Sequence, residues 1–167
     1  LGVPQSAEVW YVQLGAGQIN DIESEIRLTI DALLKHNSEL FIIIGESLLG
    51  KRTSFSNERV RILRDYPNAI YFNGFDYSIQ AGGYNSFHEM RTSRIPTIFY
   101  PNMNTGMDDQ LARCKVAEEE GWGIVVKKRD VKSILQAIRE VVNIDTNNGN
   151  QFSHHDESSW ITELLAD

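Results

Sequence analysis

The segment Ala81-Gly82-Gly83-Tyr84-Asn85-Ser86-Phe87-His88-Glu89 gathers the residues best suited to chemistry. Two consecutive glycines let a backbone approach a ligand closely. If they join a strand to a helix, the free N–H groups of that helix offer a diphosphate hydrogen bonds and the positive end of a dipole. Glu89 would then lie about one turn into the helix, where its carboxylate can accept hydrogen bonds from a vicinal diol such as a ribose. A second reading stands beside it, because Ser86-x-x-Glu89 is also a capping box, in which Glu89 satisfies a backbone donor.

Other candidates carry two readings as well. Gly15-Ala16-Gly17-Gln18-Ile19-Asn20 lacks the third glycine of a dinucleotide fingerprint, which disfavours a Rossmann cofactor site. It is either a tight turn or a loop whose N–H groups meet an anion. Asp108-Asp109-Gln110 opens a helix, where acidic residues cap and complement the dipole, or else Asp109 and Gln110 hydrogen-bond sugar hydroxyls. His154-His155-Asp156 reads as solvated tail rather than a metal site, His88 as a helix-surface or packing residue, and Cys114 as buried and inert. No Asp-x-Asp arrangement of the kind that holds a divalent ion against a diphosphate occurs, so no metal is expected, and with Asn20 in place of the third fingerprint glycine no cofactor is expected either.

Alternating elements must position these residues. Strand patterns run over Val9–Leu14, Leu40–Ile44, Val60–Leu63, Tyr77–Ala81, Thr97–Tyr100 and Ile124–Val126. Between them, Ile22, Ile26, Ile30 and Leu33 mark an amphipathic helix, and further helices are expected over Asn68–Phe75, Ser86–Ser93, Asp108–Glu120 and Val131–Val142. This order predicts an α/β fold, a doubly wound parallel sheet that binds ligands beyond the carboxyl ends of its strands. The polar stretch 145–167 reads as a linker ending in a short helix over Ser158–Leu165.

Composition bounds the partners. The 167 residues suit one globular domain, which at this size needs no disulfide, in keeping with the single cysteine. A formal charge of -7 argues against nucleic acid, whose backbone is bound by surplus Lys and Arg. The longest strongly apolar run, Leu40–Ile44, is far short of the roughly 20 residues of a membrane span, and the lone cysteine with no Asn-x-Ser/Thr acceptor makes the expected location cytoplasmic. Leu1 to Ser6 has neither an initiator Met nor a signal-peptide pattern and reads as the end of a linker, so the expected organisation is linker 1–8, ligand-binding domain 9–144 and tail 145–167.

Taken in order, Ala81 to Glu89, Arg94-Ile95-Pro96-Thr97-Ile98-Phe99-Tyr100-Pro101, Asp108-Asp109-Gln110 and Glu120-Gly121-Trp122-Gly123 resemble the C-terminal, donor-binding half of MurG-like GT-B glycosyltransferases. The resemblance implies a Rossmann-like half that holds a nucleoside diphosphate sugar, a UDP-sugar by expectation, for hexosyl transfer. It implies diphosphate contacts at Gly82, Gly83, Tyr84, Asn85 and Ser86, with Gly15, Ala16 and Gly17 reaching the phosphates from the opposite side. It places the ribose at Glu89, the base at Arg64 and Asp65, and the donor sugar at Asp109 and Gln110. Arg113 departs from the family pattern, which often has Asn at that position. A complete enzyme of this kind has an N-terminal domain that brings the acceptor and usually the catalytic base, so the chain is expected to be inactive alone. Rival readings are a nucleotide-sugar epimerase on the same scaffold and a noncatalytic donor-binding subunit.

Overall fold

The computed structural model describes residues 1–15, 22–45, 54–103 and 108–145. Its strands are β1 (Val9–Gln13), β2 (Phe41–Gly45), β3 (Val60–Leu63), β4 (Tyr77–Gln80), β5 (Thr97–Phe99) and β6 (Gly123–Val125). They form one sheet in the order β3-β2-β1-β4-β5-β6, and every neighbouring pair is parallel. The helices are α1 (Ile22–His36), α2 (Tyr84–Ser93), α3 (Gln110–Glu119) and α4 (Val131–Val141), with a 3-10 helix over Asn68–Gly74.

The period-2 alternation of a strand sends successive side chains to opposite faces, and β1 displays it. Trp10 and Val12 enter a core with Ile26, Ile30 and Leu33 of α1 and Ile134 and Ile138 of α4. Val9 and Tyr11 enter a second core with Phe72, Phe87 and Met90, Cys114, and Trp122. Helices therefore cover both faces, as the doubly wound expectation requires. The anticipated stripe of α1 is buried at Ile26, Ile30 and Leu33, while Glu23 and Glu25 in its first turn and Lys35 and His36 in its last complement the dipole.

Two helix starts differ from expectation, and both bear on the site. α2 begins at Tyr84, so its N-cap is Gly83 and no side chain caps it. Ser86 is then the third helical residue and Ser86-x-x-Glu89 is not a capping box, which removes that reading of Glu89. α3 begins at Gln110, leaving Asp109 as its N-cap, with the carboxylate accepting from Ala112 N–H at 2.9 Å. Asn68 to Gly74 winds as 3-10 rather than α-helix. The expected tail helix Ser158–Leu165 and the His154-His155-Asp156 cluster lie outside the described residues.

The strand order creates the functional feature of the fold. From β1 the chain winds to β2 and β3 on one side; from β4 it winds to β5 and β6 on the other. The loops after β1 and β4 thus diverge, opening a crevice at the carboxyl edge of the sheet where this topology takes ligands.

Candidate functional site

The cleft at that edge is built from the loops after β1, β4, β5 and β6. Gly15, Gly83, Ser86 and Gln110 line it together, and so bring four sequence-expected residues from the chain following three different strands to one place. Ala16 and Gly17 lie outside the described residues.

The glycine pair divides its work. Gly82 has φ +80°, and a Cβ there would run into the Sγ of Cys114, so backbone conformation and packing both demand glycine. Its carbonyl accepts from Arg113 Nη1 at 3.0 Å. Gly83 has ordinary φ -60°, and a Cβ built on it meets no heavy atom within 4 Å. The space beside Gly83 is open to the cleft. The α2 ladder starts with Phe87 N–H bonding to Gly83 O at 2.9 Å, so the N–H groups of Tyr84, Asn85 and Ser86 precede it and are the free donors of the helix start.

Around this turn the other expected residues fall as follows. Tyr84 and Asn85 are exposed. The Tyr84 ring lies against His88, with centroids 4.3 Å apart, and beneath the Arg113 guanidinium at 5.4 Å. His88 also meets Phe87. Cys114 is fully buried, and burial pushes its thiol pKa up to about 12, as an inert cysteine requires.

Glu89 stands on α2 one turn beyond Ser86, outside the cleft lining itself. It makes no hydrogen bond or ion pair among the described residues, and partial burial raises its carboxyl pKa above the usual range. Its charge acts on the Tyr11 hydroxyl, which accepts from Asn68 Nδ2 at 2.8 Å and donates to Gln13 Oε1 at 3.2 Å. Arg64 and Asp65 are exposed just beyond β3, away from the cleft lining, and the Asp65 carboxylate accepts from the Tyr71 hydroxyl. Asp109 is committed to capping α3. Gln110 instead turns to the cleft, its Oε1 accepting from Asn102 N–H at 2.9 Å.

Sequence reasoning missed Arg129 and Glu25. Arg129 follows β6 and lines the cleft. Its Nη1 donates to the Glu25 carboxylate of α1, and its Nη2 donates to the carbonyls of Tyr100 and Pro101 at 3.1 and 3.0 Å. The next residue, Asn102, is the one bonded to Gln110. One connected set of bonds therefore runs from α1 through the β6–α4 loop and the β5–α3 loop to the start of α3. The visible signal was the basic run Lys127-Lys128-Arg129 directly after a strand of a fold that binds ligands beyond strand ends. Among the described residues no three His, Cys, Asp or Glu come together to hold a metal ion, and no helix is long and apolar enough to cross a membrane.

Solved structures share this fold. The spinosyn rhamnosyltransferase SpnG superposes with a TM-score of 0.73 at 16% identity, over 87% of this chain and 40% of its own. The kitacinnamycin glycotransferase gives 0.72 at 15% identity, over 91% of this chain and 39% of its own. The chain has the fold of the C-terminal half of GT-B glycosyltransferases. No protein-family profile matches it. A sterol 3-beta-glucosyltransferase of Komagataella phaffii is 28% identical over 135 residues, 78% of this chain and 11% of that protein. The chain thus spans less than half of each of these proteins. SpnG has also been solved complexed with thymidine diphosphate, and that structure matches with a TM-score of 0.66 at 15% identity, over 88% of this chain and 41% of its own.

Proposed function

We propose that this chain is the donor-binding half of a glycosyltransferase that transfers a hexosyl group from a nucleoside diphosphate sugar, a UDP-sugar by the sequence resemblance, to an acceptor held by another domain. The observation that carries the reading is the free N-terminus of α2, opening at Gly83 into a cleft faced by Gly15 across the topological switch point. The sterol glucosyltransferase similarity and the thymidine diphosphate complex of a fold neighbour support the same class of ligand.

On this reading the diphosphate sits between the Gly15 turn and the Gly83 to Ser86 N–H groups. As the sugar departs to the acceptor, negative charge grows on the leaving diphosphate. Preorganised N–H dipoles stabilise that charge without having to reorganise, and the low-dielectric walls of a cleft strengthen the effect. Glu89, free of structural hydrogen bonds, holds the ribose hydroxyls. Gln110 offers a donor and an acceptor to the sugar, with Asp109 supporting it through the helix start. The backbone at Arg64 and Asp65 receives the base. Proton transfer from the acceptor belongs to a group outside these residues.

Calorimetric titration of the chain with UDP, UDP-sugars, thymidine diphosphate and GDP in EDTA tests the reading. Saturable binding of a nucleoside diphosphate, weakened by about 1 to 3 kcal/mol in Glu89→Ala, is the expected result. Binding that Glu89→Ala leaves intact removes Glu89 from the site. Absence of binding by every nucleotide at millimolar concentration sinks the assignment of a donor site to this chain.

A further inference from the structure

Arg113 is a residue whose bonds converge on the glycine turn from behind. It lies on the first turn of α3, with only 19% of its side chain exposed. One guanidinium nitrogen donates to the carbonyl of Gly82 at 3.0 Å and the other pairs with Asp108, while the plane lies over the Tyr84 ring at 5.4 Å. These contacts hold a long side chain in one position. Donation by Arg113 is also the leading reason the Asp108 carboxyl is held below its usual range.

The Gly82–Gly83 peptide is trans, since the cis bond of the described chain is Tyr66–Pro67. In a trans peptide the C=O and the following N–H point in opposite directions. Arg113, by gripping Gly82 O, therefore turns Gly83 N–H to the side opposite its guanidinium. Gly83 lines the cleft, and its N–H has no acceptor among the described residues. A charged donor on the carbonyl also polarises the amide and makes its N–H a stronger donor.

We propose that Arg113 is a positioning residue for the anion site: by holding the Gly82 carbonyl it fixes and polarises the Gly82–Gly83 peptide, so that the Gly83 N–H is presented to a diphosphate in the cleft. Arg113 acts through the peptide rather than by touching the phosphates, because its guanidinium is already engaged by Gly82, Asp108 and Tyr84. The inference rests on the donor-site reading above and adds a residue at which this chain departs from the pattern it resembles.

The test compares uridine with UDP on the wild-type chain, Arg113→Gln and Arg113→Lys, and records the amide resonance of Gly83 in each without ligand. UDP affinity is expected to fall about tenfold in Arg113→Gln while uridine affinity stays unchanged, because only the phosphates meet the turn. The Gly83 amide nitrogen should shift upfield as its carbonyl partner is lost, and Arg113→Lys should recover part of both effects. Equal losses for uridine and UDP, unchanged UDP affinity, or a Gly83 resonance that stays in place would each overturn the proposal. If the wild-type chain binds neither ligand, the donor-site reading falls, and the Gly83 resonance still decides whether Arg113 sets that peptide.

Discussion

At the scale of single residues, Glu89 is the position where the fold and the proposed function pull apart. Glu89 is exposed on α2, yet its carboxylate receives no hydrogen bond among the described residues and partial burial still raises its pKa, so the ionised form is slightly disfavoured in the folded chain. Its folded pKa lies above the unfolded value. The stability it contributes is therefore complete at pH below the unfolded value, near 4.5, and is lost as pH rises through the folded value. Glu89→Gln removes the charge without changing the shape. We expect thermal melts to show Glu89→Gln slightly more stable than wild type at pH 7, the effect kept small by solvent screening of an exposed charge, with the difference shrinking to nothing as pH falls below the ordinary carboxylate range. A variant less stable than wild type at neutral pH would mean that the carboxylate has a structural partner. A side chain that costs stability and weakens ligand binding when removed is one retained for the ligand, which is what a ribose contact requires.

At the scale of elements, the sequence was most informative where a pattern is local. The strands and helices from Val9 to Val141 follow from period and punctuation, because each element writes its own burial into the adjacent residues. Helix starts were less legible. Ser86 and Asp108 both looked like caps, but Gly83 already allows the extended conformation of an N-cap, and Asp109 rather than Asp108 reaches the Ala112 amide. The Glu25–Arg129 pair was illegible, since its partners stand 104 residues apart and only the winding of the sheet brings them together. The same winding makes the pair testable. Removing Arg129 leaves a half-buried carboxylate and two carbonyls without their donor, so Arg129→Gln should cost about 1 to 3 kcal/mol in denaturant unfolding. In the double variant with Glu25→Gln the two costs should not add, because each substitution breaks the same bond. Strict additivity would mean that the pair carries no coupling between α1 and the loop after β6.

At the scale of the whole molecule, the site works against the protein's own field. The chain carries a formal charge of -7, yet the proposed ligand is a polyanion. Bulk attraction cannot supply affinity, as it does for proteins that bind nucleic acid. What remains is local: oriented N–H groups at the start of α2, the Gly15 turn, and guanidinium groups held in place by neighbours. These terms are short-ranged and exist only in the folded chain, so the ligand must bind the native state and not the unfolded one. That makes the melting temperature a report on the site. At about one hundred times its dissociation constant, a ligand that binds only the native state stabilises it by about 2.7 kcal/mol. For a domain of this size the corresponding rise in melting temperature is about 5 to 10 °C. We expect UDP to produce such a rise and uridine at the same concentration to produce much less, because the diphosphate engages the turn. The chain covers 39% to 40% of the first two solved structures, so this measurement also asks whether the half-fold holds its site without the remainder. A rise with UDP places the donor site within these elements; a flat response at millimolar UDP assigns the site's completion to another domain and removes the donor-binding reading from the chain alone.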